Sequence, residues 1–106
     1  MMKALVTGPD DGGIGDALDA EGVETIRVEG VATAASLDVA GIADADLFVL
    51  TDVADATAIS IAKEANPDVK VVVYSRESLP EFARGQADLA VDPELLGPDV
   101  VAEELA

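Results

Sequence analysis

Glycines follow the first apolar run of the chain, and their spacing could create a site for phosphate groups. Residues 4–6 are apolar without polar alternation, and the next glycines are Gly8, Gly12, Gly13 and Gly15. Glycine lets the backbone turn sharply and approach a ligand closely, and the N-terminus of a helix carries a positive partial charge. The stretch predicts a strand, a turn and a helix that bind a nucleotide there. The alternative is a tight strand-to-helix turn without a ligand.

The glycine spacing matches neither of the two common phosphate-binding motifs. Gly-x-Gly-x-x-Gly is absent, and no lysine follows the glycines as it does in a P-loop. Residues 7–15 resemble the loop of short-chain dehydrogenases with one extra residue. The Tyr-x-x-x-Lys of that family is absent, however, because Tyr74 is followed four residues later by Ser78.

Carboxylates follow two of the predicted strands. Asp10 and Asp11 come after the first strand, and Asp52 follows the apolar run at residues 47–50. Mg²⁺ is a hard cation that prefers oxygen ligands, so these three side chains are candidate ligands for a divalent cation. The alternative is that they are solvated caps in a chain rich in acidic residues.

The composition excludes several classes of chemistry. The chain has 106 residues, which we expect to form one domain over residues 1–106, and it contains no cysteine and no histidine. Thiolate and imidazole sites are therefore excluded, and no other nucleophile or base stands out. No apolar run approaches the roughly 18 residues that a membrane span requires. We expect a cytoplasmic binding or regulatory protein without membrane insertion rather than an enzyme.

Acidic residues dominate the charge balance. The chain has 22 Asp and Glu against 6 Lys and Arg, for a formal net charge of −16. The basic residues are scattered, which argues against nucleic acid as a partner. Because salt screens the repulsion among so many carboxylates, the composition also predicts a salt-adapted protein from a halophile; an acidic interaction surface is the alternative.

Strand and helix patterns alternate along the chain. Apolar or alternating runs predict five strands, at residues 4–6, Val23–Glu29, 47–50, Val69–Tyr74 and 89–91. The first and third are apolar throughout and the fourth has an unbroken apolar run at residues 71–73, as expected inside a parallel sheet. The second has mixed polar and apolar faces, and in the fifth Leu89 and Val91 alternate with polar or small neighbours, as expected at the edges. This predicts a three-layer α/β domain of the Rossmann-like or flavodoxin-like class, with strand order 2-1-3-4-5 and helices on both faces. Because ligands bind where such a sheet reverses direction, the loop from Gly8 to Gly15 should face Thr51 and Asp52 across a crevice.

Local signals predict the helix starts. Thr33 is placed to cap the second helix and Asp55 to cap the third, and Ser78 with Glu81 has the spacing of a capping box. The third helix should bury a stripe of four residues, which are Ala58, Ile61, Ala62 and Ala65.

Residues 35–93, and especially residues 39–52, 62–71 and 86–88, resemble the TrkA-N (KTN) domain of potassium-transport regulators. That resemblance implies a homodimer that binds NAD(H) or an adenine nucleotide. The matching positions are Gly8, Gly13, Gly15, Glu29, Thr51, Asp52 and Arg76. The chain departs from the family in its irregular loop, its short first helix and one missing strand-helix unit. For the dimer, the segment Pro98–Ala106 could cover a partner with Val100, Val101 and Leu105, or it could pack on its own sheet.

A second resemblance is to the receiver domains of response regulators. Asp10-Asp11, Asp52 and Ser75 are similar to their acidic pocket, phosphoacceptor and switch hydroxyl. The lysine that precedes the final proline of receivers is replaced, because this chain has Asp92-Pro93 there. The resemblance implies a degenerate receiver that acts as a protein-interaction module with a divalent-cation site.

The whole chain also resembles a small family of haloarchaeal proteins that carry the name CTP synthetase. A CTP synthase requires an ATP-binding P-loop and a glutaminase cysteine, and this chain has neither. The residues therefore do not support that activity.

Overall fold

One parallel sheet of five short strands organises the molecule, and its strand order is the one that the sequence predicts. The computed structural model describes residues 1–10, 12–28 and 30–106. The strands are Lys3–Thr7 (β1), Glu24–Val28 (β2), Leu47–Leu50 (β3), Lys70–Tyr74 (β4) and Leu89–Val91 (β5). Each pairs in parallel with its neighbours in the order β2-β1-β3-β4-β5. The fold is therefore the predicted α/β, flavodoxin-like class.

Helices cover both faces of this sheet. They are Ile14–Ala20 (α1), Ala34–Ala40 (α2), Thr57–Ala65 (α3), Glu81–Arg84 (α4) and Pro98–Leu105 (α5), with 3₁₀ turns at Ile42–Asp44 and Val53–Asp55. Buried residues of α1 and α5 share one apolar layer with one face of the sheet. Buried residues of α2, α3 and α4 share the other layer.

The central strands alternate between the two layers because successive side chains of a strand point to opposite faces. In β3, Phe48 and Leu50 join the layer below α2 and α3, whereas Leu47 and Val49 join the layer below α1 and α5. All four residues are buried. Within β2 only Val28 is buried, and within β5 only Val91. The prediction of interior and edge strands is confirmed.

Of the three helix caps predicted from the sequence, one is confirmed and two are wrong. Thr33 caps α2 as predicted, since its hydroxyl accepts from the N–H of Ser36 at 3.1 Å. The prediction for Asp55 is wrong, because a 3₁₀ turn contains that residue and α3 begins only at Thr57. The capping box of Ser78 is wrong as well, because Pro80 occupies the cap of α4 and no side chain caps it.

The buried face of α3 also differs from the predicted stripe. Ala58, Ile59 and Ala62 are its buried residues, whereas Ile61 is only partly buried and Ala65 is exposed. The apolar content of the helix allowed either face, and packing against the sheet selects the one that contains Ile59.

The C-terminal helix packs on its own domain rather than presenting an apolar face outward. Val101, Ala102 and Leu105 of α5 are buried in the same layer as α1. Of the three residues predicted to cover a partner, only Val100 is exposed. Among the residues that the structure describes, no helix has the length and apolar character needed to cross a membrane.

Candidate functional site

A cleft of about 530 Å³ lies at the carboxyl ends of the central strands. Its lining is contributed by the last residue of β4 and by the segments that follow β1, β3, β4 and β5, namely Pro9, Asp10, Gly12, Thr51, Asp52, Tyr74, Ser75, Arg76, Glu77, Pro93 and Glu94. This includes the point between β1 and β3 where the sheet reverses direction, as the strand order requires. Six predicted site residues therefore line one cleft, namely Asp10, Gly12, Thr51, Asp52, Ser75 and Arg76.

Thr51 holds the segment that follows β1. Its Oγ1 lies 3.1 Å from the carbonyl oxygen of Thr7 and 2.5 Å from that of Pro9, so its hydroxyl donates to the start of the glycine loop. Gly8 lies between these two carbonyls with φ of 96°, and a Cβ there would be 2.5 Å from Thr51 Oγ1. The contact with Thr51 therefore explains why this position needs a glycine, without a ligand.

Gly13 and Gly15 lie at the start of α1 and do not line the cleft. Gly13 is the N-cap of α1 with φ of 75°, and no atom lies within 4 Å of the position its Cβ would take. At Gly15, a Cβ would be 2.7 Å from Asp10 Oδ2 and 3.0 Å from Arg27 Nη2. Gly15 therefore makes room for an internal ion pair.

That ion pair joins Asp10 to Arg27 of β2. Asp10 Oδ2 accepts from Arg27 Nη2 at 2.7 Å and from the N–H of Gly15 at 3.1 Å. The side chain of Asp10 is only 6% exposed, and that of Arg27 is 47% exposed and also reaches Asp16 at 3.5 Å. The other oxygen, Asp10 Oδ1, is buried and has no hydrogen-bond partner among the residues described.

Sequence analysis missed Arg27. The parallel register pairs it with Val6, near the carboxyl end of β1, and this register brings it within reach of Asp10. Arg27 is one of only six basic residues in the chain, and it alternates with apolar Ile26 and Val28 on the edge strand. Its rarity and its place on the edge strand could have indicated Arg27 as a partner for a carboxylate of the site.

Asp52 follows β3 and caps the next turn. Its Oδ1 accepts from the N–H of Ala54 at 2.9 Å, and the residue is partly buried. In the part of the chain that the structure describes, no three acidic side chains are close enough together to hold a metal ion. Asp11 and Glu29 lie outside the described residues. The cation site at Asp10, Asp11 and Asp52 therefore stays a prediction.

The opposite wall of the cleft joins β4 to the segment after β5. The hydroxyl of Tyr74 donates to the carbonyl of Leu96 at 3.0 Å, and its ring lies 3.2 Å from where a Cβ of Gly12 would be. Burial raises the pKa of the Tyr74 phenol, and the nearby carboxylates of Asp10 and Asp99 raise it further. Tyr74 therefore stays protonated and ties the segment after β5 to β4.

Charged groups at the rim are bonded to one another. Arg76 Nη1 lies 3.0 Å from Glu94 Oε1, in a pair that is about two-thirds exposed on both sides. Asp92 Oδ1 accepts from the N–H of Glu94 at 2.8 Å and so forms the turn that follows β5. Four carboxylates and one guanidinium line the cleft, and this excess of negative charge favours cations over phosphate groups.

A family profile covers nearly the whole chain, since it matches residues 4–105. The chain belongs to DUF7126, a family of unknown function. No curated protein matches it.

Solved structures match the fold over almost its full length. An orphan response regulator of H. pylori has a TM-score of 0.73 at 20% identity, over 98% of this chain and 92% of that one. An atypical orphan response regulator, whose structure revealed a phosphorylation-independent regulatory mechanism, has a TM-score of 0.72 at 21% identity, with the same coverage of 98% and 92%. A protein of Burkholderia thailandensis named for pilus assembly has a TM-score of 0.71 at 17% identity, over 99% of this chain and 95% of that one.

These likenesses establish a fold shared with receiver domains of response regulators. They agree with the second of the resemblances found in the sequence, which rests on Asp10-Asp11, Asp52 and Ser75. None of these findings supports the resemblance to TrkA-N domains or the name CTP synthetase.

Proposed function

We propose that this protein is a receiver-like interaction module that binds a protein partner without phosphotransfer. The observation that carries the proposal is the ion pair of Asp10 with Arg27. In this pair one oxygen of Asp10 is already bonded within the protein. In the resemblance to receivers, Asp10 is one of the residues of the acidic pocket.

The cleft is poorly equipped to transfer a phosphoryl group. Catalysis of that transfer depends on cations that neutralise the charge on the phosphoryl oxygens. Asp92 replaces the receiver lysine and bonds to the backbone of its own turn. Arg76, the only cation that lines the cleft among the described residues, is paired with Glu94. A phosphoryl group on Asp52 would add negative charge to a cleft that is already acidic.

Exposed apolar side chains support a partner. Among the described residues eight large apolar side chains are exposed, and five of them lie in the part of the chain from α4 to α5, namely Phe82, Leu89, Leu95, Leu96 and Val100. The edge strand β5 has no charged residue, and exposed apolar side chains that lie together favour association with another chain. The predicted homodimer is one form that such association could take.

Nucleotide binding at the glycine loop receives less support. Gly8 and Gly15 are explained by the contacts with Thr51 and with the Asp10–Arg27 pair. Binding of NAD(H) or an adenine nucleotide at Gly8, Gly12, Gly13 and Gly15 stays a prediction without a contact in its favour.

Two measurements test the proposal. Incubation with acetyl phosphate and Mg²⁺, followed by intact-mass spectrometry, should give no phosphorylated protein, for wild type as for the Asp52→Asn control. Co-purification from the protein's own cells should recover the same partner with wild type and, at lower yield, with Asp52→Asn, and lose it with Leu95→Glu/Leu96→Glu. Stable phosphorylation of Asp52, or a partner indifferent to both leucines but lost with Asp52→Asn, would refute the proposal.

A further inference from the structure

One carboxylate that lines the cleft has a buried oxygen without a hydrogen-bond partner among the described residues. Asp10 Oδ1 has no hydrogen bond among the described residues, although the side chain is only 6% exposed and lines the cleft. A buried polar atom without a partner costs free energy, and the cost is larger for a charged group. Asp52 and Glu77 line the same cleft, so the space next to Asp10 attracts a positive charge.

The geometry favours a cationic side chain over a metal ion. In the described part of the chain no three acidic side chains come together as metal ligands. Asp10 Oδ2 is bonded to Arg27, and Asp52 Oδ1 to the N–H of Ala54. A lysine or arginine needs fewer oxygens than Mg²⁺ does, and it forms strong hydrogen bonds to one or two carboxylates.

Two exposed leucines directly follow residues that line the cleft. Leu95 is 79% exposed and Leu96 is 45% exposed. Both follow Pro93 and Glu94, which line the cleft, and the Tyr74 hydroxyl ties the carbonyl of Leu96 to the same wall. A molecule that reaches the cleft from this side therefore also covers apolar surface.

We propose that the partner docks through a basic amphipathic segment, which inserts a lysine or arginine beside Asp10 and Asp52 and packs apolar residues on Leu95 and Leu96. This inference rests on the proposed function and names the chemistry of the partner. The charge of −16 favours a basic partner and disfavours a second copy, because two copies would bring like charges together.

A helical peptide of leucine and lysine with one apolar face is the first probe. Fluorescence anisotropy should show that it binds at least about tenfold more tightly than an isomer of equal charge without an apolar face. Leu95→Ser/Leu96→Ser should remove that difference, and Asp52→Asn should weaken binding several-fold. The matched controls are Val39→Ser and Asp38→Asn, because both residues are exposed on α2 away from the cleft. Equal binding of the two isomers, or equal effects of site and control variants, overturns the inference.

Two further arms separate this inference from the function on which it depends. A photo-crosslinking residue at position 95, introduced in the protein's own cells with position 39 as control, should capture a segment rich in lysine or arginine. Capture of an acidic segment or of a second copy overturns the inference but leaves the interaction module standing. If position 95 captures nothing above the level of position 39, both the inference and the proposed function are overturned. Titration with Mg²⁺ alone should give no binding heat that depends on Asp52, and such heat would assign the cleft to the metal instead.

Discussion

Replacing Arg27 by methionine should destabilise the protein by about 2 kcal/mol. The change removes a 2.7 Å charged hydrogen bond to a carboxylate that is almost fully buried. Breaking a fully buried pair costs about 3 to 5 kcal/mol, whereas exposed pairs contribute about 0 to 1 kcal/mol. The guanidinium is about half exposed, so water can replace part of what Asp10 loses, and the N–H of Gly15 remains as a donor. An intermediate value follows.

Urea unfolding of wild type, Arg27→Met, Asp10→Asn and the double variant measures the coupling between the two side chains. We expect a coupling of about 1 to 2 kcal/mol, since the residues are in direct contact. Arg76→Met is the matched control, because the pair of Arg76 with Glu94 has similar length but is exposed on both sides. Equal losses for Arg27→Met and Arg76→Met, or a coupling near zero, would refute the argument that Asp10 depends on Arg27.

Three other predictions concern stability. The hydrogen bond from Lys63 lowers the pKa of Asp88. The stability that this bond contributes is therefore present above the ordinary aspartate pKa of about 4 and is lost as pH falls through the lower pKa of the folded state. Below about pH 4 the free energy of unfolding should fall more steeply with pH for wild type than for Asp88→Asn, and parallel profiles would contradict this. Gly8→Ala should cost more than Gly13→Ala, by about 1 kcal/mol or more, since both have positive φ but only Gly8 lies against Thr51; equal midpoints in urea would contradict it. The melting temperature, followed by circular dichroism, should rise between about 0.1 M and about 3 M KCl, because screening reduces the repulsion among 16 unbalanced charges. A melting temperature independent of salt would contradict the prediction of a halophilic protein.

The sheet could be predicted because its signals are carried by runs of residues rather than by single ones. The fully apolar β3, with Leu47 to Leu50, can only lie between two covered faces, and the mixed β2 can only lie at an edge. Helix starts were less predictable, because several polar residues compete for each one. Asp52 captures the N–H of Ala54 in a 3₁₀ turn, so Asp55 never becomes the cap of α3.

The location of the cleft could be predicted, but the hydrogen bonds and ion pairs around it could not. Strand order alone placed Asp52 and the glycine loop at the same crevice. The partner of Asp10, however, depends on the register between β1 and β2, and a shift by one residue would turn Arg27 to the other face. The bond of Tyr74 to Leu96 depends likewise on the path of the turn after β5, which Asp92 shapes.

The positions of the basic residues explain how the cleft differs from what the resemblance to receivers implies. In that resemblance a lysine after β5 places its charge in the cleft, whereas here Asp92 takes that place and the cation nearest to Asp10 comes from β2. Arg27 bonds to one oxygen of Asp10, and the other oxygen is buried and has no partner among the described residues. A cation from β2 thus stabilises the loop without neutralising the cleft. Arg76, the cation that lines the cleft among the described residues, is paired with Glu94. In the docking proposal the positive charge beside Asp10 therefore comes from the partner, and the exposed Leu95 and Leu96 favour a protein as that partner.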